Sequence, residues 1–157
     1  MANGLGNLVQ RVATLIESNL DSELIFKEEL IDKEVSDKIK DSSESYKKHI
    51  VQFKLHEALG NVWDIVNYAN AYIDEKKPWK LKENPEEFLK VMTNLVLMIT
   101  SVGWNIYPFM PETSDKIFEI FGLDKRMDTP LNNSHLRIKK SGGLFPRLQS
   151  FLILNNR

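Results

Sequence analysis

Asn7 and Arg11 stand one helical turn apart in the stretch NGLGNLVQRVATLIESN, and Trp79 follows Pro78 at the end of a long apolar-periodic segment. An amide, a guanidinium and an indole offer hydrogen-bond donors, an acceptor and a flat aromatic face. Spacing alone does not commit them to a site. Gly4, Asn7, Arg11, Thr14 and Ser18 form one polar stripe that a solvated helix face explains. Trp79 by itself suits a hydrophobic lid equally well. Other candidates are weaker. The periodicity puts His49 and His56 on one helix about two turns apart, too far to share an ion, and His135 is remote. With no cysteine in the chain there is no thiolate metal site, and with the histidines scattered no metal site is expected. GLGN at Gly4–Asn7 lacks the strand and spacing of a phosphate loop. The pairs Asp74, Glu75 and Glu86, Glu87 are explained by solvation and by the helix dipole. No catalytic residue is expected, and a free-standing enzyme is disfavoured.

The elements that must position these residues follow from patterning. A chain of 157 residues with 42% apolar and 27% charged composition fits one domain with a single core. Leu55, Ala58, Val62, Ile65, Ala69 and Tyr72 give the stretch Ile50–Leu81 the wide apolar stripe of a central bundle helix. Pro78 ends it, which leaves Trp79 on a loop or turn, and Asn70 is expected to fix that helix end. Residues 3–19 form the first helix and 20–33 a connector, either extended or a short helix; Lys33–Tyr46 is a sparse outer helix. Asn84 caps a helix with Pro85 in its first position, and this helix continues to Tyr107, apolar nearly all round. Trp63 and Trp104 are expected in the core. Pro108 and Pro111 bracket a break before a short helix, Lys116–Phe121, stopped by Gly122. From Leu123 onward no period persists. The expectation is an all-α bundle of about five helices over 3–122 with an irregular tail over 123–157, whose LFP and SFLIL pieces lie on the bundle or on a missing partner.

The run Leu95–Val102 is too short to cross a bilayer, and MANGLGNLVQRV lacks the features of a signal peptide. No membrane partner is expected, and the absence of cysteine favours a cytoplasmic setting. The net charge of −1 argues against DNA or any sequence-independent nucleic-acid partner. RNA contact, if present, must be a small local patch that reads unstacked bases.

GNLVQR at Gly6–Arg11, NAYIDEKKPW at Asn70–Trp79, YPFMPETSDKIFEIFG at Tyr107–Gly122 and LFPR at Leu144–Arg147 occur in one order. Together they resemble the C-terminal anticodon-binding domain of methionyl-tRNA synthetase. Helix bundles of this kind also occur in other class Ia synthetases, and the Pro78–Trp79 exit and the LFPR tail tilt the choice to methionine. The resemblance implies an anticodon-reading patch of Asn7, Arg11 and Trp79, with Pro78 and Asn70 in support. It implies as partners a methionine tRNA with its CAU anticodon and the catalytic domain of a parent enzyme, towards which Leu144–Arg147 would pack. ATP and methionine belong to the full-length enzyme; no cofactor is expected here. The nucleotide-binding signatures of that catalytic domain are absent, so aminoacylation by this chain alone is not expected. The competing reading is a structural or protein-interaction bundle. It accepts a buried Trp79, whereas an anticodon site requires the indole exposed and near Arg11 and Asn7.

Overall fold

The computed structural model describes residues 2–123 and 135–139. Five helices dominate: α1 (Ala2–Asn19), α2 (Lys33–Val51), α3 (Leu55–Lys76), α4 (Pro85–Ile106) and α5 (Pro111–Ile120). Two strands, β1 (Glu23–Ile25) and β2 (His135–Arg137), pair antiparallel with Leu24 opposite Leu136. The all-α expectation therefore holds for the bundle and gains a small sheet. Alternation explains the strands: Leu24, Leu136 and Ile138 are buried between exposed neighbours, so each strand turns one apolar face to the core. Part of the tail is thus fastened beside the connector. The Leu144–Arg147 and SFLIL pieces lie outside the described residues.

Helix α4 is the core element, with buried residues along its whole length from Phe88 to Ile106. Its 22 residues are long and apolar enough to span a bilayer, beyond what the run Leu95–Val102 suggested, yet two thirds of that window is buried inside the protein. Asn84 caps it as expected, its side chain accepting from the Glu87 N–H at 3.3 Å. The outer placement of α2 also holds, since Val35 is its single buried residue.

Several boundaries differ from the sequence expectations. Helix α2 runs on to Val51, because Ser42 donates to the Asn61 carbonyl and Tyr46 to the Asn105 carbonyl, anchors that outweigh its weak periodicity. The central helix starts at Leu55, not Ile50. Between them Phe53 adopts φ +56, with Phe53 N–H bonded to Ile50 O and Lys54 N–H to His49 O. This is a Schellman stop whose left-handed position normally belongs to glycine. His49 and His56 accordingly sit on different helices, and His49 Nδ1 lies 2.7 Å from Asn61 Oδ1. Helix α5 begins at Pro111, five residues early, because proline fits the first helical position. It crosses α4 at Gly103, where a Cβ would come within 3.1 Å of the Phe118 ring, and Ser114 donates to the Gly103 carbonyl at 2.6 Å. Gly122 ends α5 with φ +65 and the same pair of bonds seen at Phe53. Trp104 is not core: it is 47% exposed, resting on Phe118 with ring centroids 5.0 Å apart. Trp63 is half-buried.

Candidate functional site

The end of α3 is built by three successive devices. Lys77 adopts the left-handed conformation, φ 48 and ψ 59, while its N–H still bonds to Ile73 O, so the helix closes and the chain turns sharply. Pro78 is then buried and opens a single 3-10 turn, Pro78–Lys80. Trp79, in the middle of that turn, is 41% exposed. The proline anchors the turn in the protein and the indole is held at its surface.

Helix α1 comes to the same place from the other end of the chain. The Asn70 side chain donates to Val66 O within α3 and to Gly4 O in α1, at 3.1 and 3.2 Å. Two turns further along α1, the Arg11 guanidinium bonds Asp74 Oδ1 at 2.9 Å and lies 5.6 Å from the centroid of the Trp79 ring. Positions 4, 7 and 11 share one helix face. Gly4 and Arg11 are both fastened to α3, and exposed Asn7 lies between them along α1 on the same helix face. The structure thus brings Arg11 to Trp79 and Asn70 to Gly4 where α1 packs on α3, with buried Pro78 behind the indole; Asn7 is exposed on α1, one turn before Arg11. Thr14 and Ser18, further along the stripe, remain plain exposed residues.

Electrostatics distinguish scaffold from open surface here. Asp32, the residue before α2, accepts from Tyr72 OH at 2.9 Å and pairs with Lys90 at 3.0 Å, while its N–H donates to the buried Asn94 side chain. Burial alone would raise the Asp32 carboxyl; the hydrogen bonds from Lys90 and Tyr72 outweigh it and hold the group below the usual carboxylate range. Burial, then the bond to Asp32, drives the Tyr72 hydroxyl well above the usual phenol range. This network ties the start of α2 to the last two turns of α3 and to α4. Beside it, a cleft of about 380 Å³ between α2 and α3 is lined by Tyr68, Tyr72 and mixed charges.

Asp74 is the member that sequence reasoning missed, having been assigned to a solvated run. Opposite charge to Arg11 is its only sequence signal, and 63 positions separate the two. Among the described residues no group of histidines and carboxylates is placed to hold a metal ion.

The chain is 39% identical over 123 residues to the methionine–tRNA ligase of Clostridium acetobutylicum, covering 74% of this chain and 19% of that protein. It is 31% identical over 159 residues to the enzyme of Caldanaerobacter subterraneus, covering 94% and 25% respectively. The chain therefore spans a quarter or less of these relatives. Its backbone superposes on the Mycobacterium tuberculosis methionyl-tRNA synthetase bound by methionyl-adenylate with a TM-score of 0.81 over 93% of this chain and 31% of that one, at 23% identity, a likeness of fold. Residues 26–146 match the family model for the anticodon binding domain of methionyl tRNA ligase, a span that includes Asn70, Pro78 and Trp79 and follows α1. By that match over most of its length, the chain belongs to the methionyl-tRNA ligase anticodon-binding domain family.

Proposed function

We propose that this chain reads the CAU anticodon of methionine tRNA, with the first anticodon base unstacked onto Trp79 and its edge hydrogen-bonded by Arg11 and Asn7. The convergence of Arg11 and Trp79, 5.6 Å apart at a ring that is 41% exposed, carries the reading. An indole stacks on any base with about equal strength, so Trp79 supplies affinity and little choice. Choice falls to Arg11 and Asn7, whose donors and side-chain carbonyl match the acceptors and amino group of cytosine. The bond to Asp74 engages one of the five guanidinium N–H donors and holds the fork in place; the others stay available. Asn70 and the buried Pro78 act as supports, fixing α1 on α3 and the turn on the bundle.

In this reading, residues 3–122 are the recognition bundle, and 123–157 packs on it and towards the catalytic domain of a cytoplasmic parent enzyme. That domain supplies the ATP and methionine chemistry. The interaction-bundle alternative has less support, since the family that the chain matches is an anticodon-binding one. The test is a titration of two anticodon stem-loop RNAs, one with CAU and one with a different first base. Tighter binding of CAU, with affinity lost in Trp79→Ala, is expected. Equal binding of both loops, together with an unaffected Trp79→Ala variant, would overturn the proposal.

A further inference from the structure

The segment Lys76-Lys77-Pro78-Trp79-Lys80-Leu81-Lys82 carries four cations and no acid, and no other seven-residue window of the chain does so. Overall the chain has 21 lysines and arginines against 22 acids; without these four the balance is 17 against 22. A protein that is acidic elsewhere therefore concentrates positive charge around one exposed indole.

The four lysines differ in their surroundings. Lys76 is half-buried, its ammonium 5.6 Å from the Tyr72 ring centroid, on the side of the α2–α3 cleft. Lys77, Lys80 and Lys82 are exposed, and none of them is in an ion pair among the described residues. Arg11 and Lys90, by contrast, are neutralised by Asp74 and Asp32. An anion meeting the three exposed lysines has no protein ion pair to break first. The neighbouring cleft offers no equivalent, since Asp32, Glu34 and Glu75 outnumber Lys33 and Lys76 along its lining. A base stacked on Trp79 would carry its own flanking phosphates towards the segment in which Lys77 precedes the indole and Lys80 and Lys82 follow it.

We infer that Lys77, Lys80 and Lys82 form a phosphate grip for the backbone of a single-stranded RNA loop, supplying affinity and no base choice. The inference rests on the anticodon reading of Trp79. Each phosphate neutralised on a single strand contributes about −0.7 to the slope of log K against log salt. Three contacts predict that the Lys77→Gln/Lys80→Gln/Lys82→Gln variant loses about 2 from that slope. Between about 50 and 200 mM salt, the three contacts correspond to about a 20-fold change in wild-type affinity that the variant no longer shows.

The experiment titrates the CAU stem-loop and the loop with a different first base at four salt concentrations, using wild type, the triple variant and Trp79→Ala. The expected result is a shallower slope in the triple variant, equal for both RNAs, with the preference for CAU unchanged. Circular dichroism matching wild type shows that the variant is folded. A slope equal to wild type overturns the phosphate grip while the CAU preference, and with it the anticodon reading, stands. A preference lost in the triple variant overturns the assignment of these lysines to affinity alone. A wild type without preference but with a lysine-dependent slope sinks the anticodon reading and leaves a general RNA contact. No binding of either loop by wild type at the lowest salt overturns both.

Discussion

The two ends of α3 share ingredients and differ in what is made of them. Each has a left-handed residue at a helix stop and an exposed aromatic, and 22 residues of helix hold them about 30 Å apart. At the far end Phe53 is itself the left-handed residue, 88% exposed, between exposed Val51 and Leu55. No cation or ring partner is seen for it among the described residues. At the near end the left-handed position falls to Lys77, and the aromatic comes two residues later with a buried proline behind it and a guanidinium beside it. Exposure of an aromatic alone does not separate the two ends; convergence of groups from separate elements around it does.

The comparison can be broken or sharpened by mutation. The largest effect is expected from Trp79→Ala, which should weaken both stem-loops about 5- to 150-fold in a direct titration, the value of one lost base stack. Next, Arg11→Ala should remove about tenfold of discrimination in favour of CAU, the scale of one good edge contact, while the other loop binds nearly as before.

Acid should loosen the Trp79 end through Asp32. Its carboxyl is held below the ordinary value of 3.8, so its stabilisation is fully present above that pH and is lost as pH falls through the lower folded value. Asp32→Asn should cost about 1–2 kcal/mol at neutral pH in urea unfolding and flatten the stability profile below pH 4. An unchanged acid limb in the variant would remove Asp32 from that role.

The smallest change belongs to the other end. Phe53→Gly relieves a left-handed phenylalanine at the cost of glycine's extra unfolded-state freedom, a net gain of about 0.5–1 kcal/mol, or a few degrees in Tm. RNA affinity should not move. A loss of RNA binding in Phe53→Gly would erase the contrast between the two ends.

Much of this architecture was legible in the sequence. Asn84 followed by Pro85 marked a helix start, Gly122 marked a stop, and the unbroken apolar character of α4 marked the core, because each of these signals is local. The break at Phe53 was not legible for the same reason in reverse: the residue in the glycine position is aromatic, and α2 and α3 read as nearly continuous across it. An extended connector was within reach of the sequence, but its pairing with the tail was not, since three residues on each side make a period too short to recognise and the partners lie far apart in the chain. Trp104 was placed in the core because α4 is apolar all round, yet a helix that is not fully enclosed must leave some position outward. At the candidate site, residue types suggested Asn7, Arg11 and Trp79 only together with the family resemblance. The Arg11–Asp74 pair needed the fold itself.

The bond from Asn70 to the Gly4 carbonyl has a consequence for how this site could be lost in evolution or design. Gly4 and Arg11 are seven residues apart on α1, and Asn70 and Asp74 four apart on α3, so two tie points fix the angular phase of one helix on the other. Inserting a single alanine between Gly4 and Arg11 would swing the guanidinium through about 100° around the helix axis without altering any residue type. A homologue with every side chain of the patch intact and one codon added there would carry the letters of the site and none of its geometry.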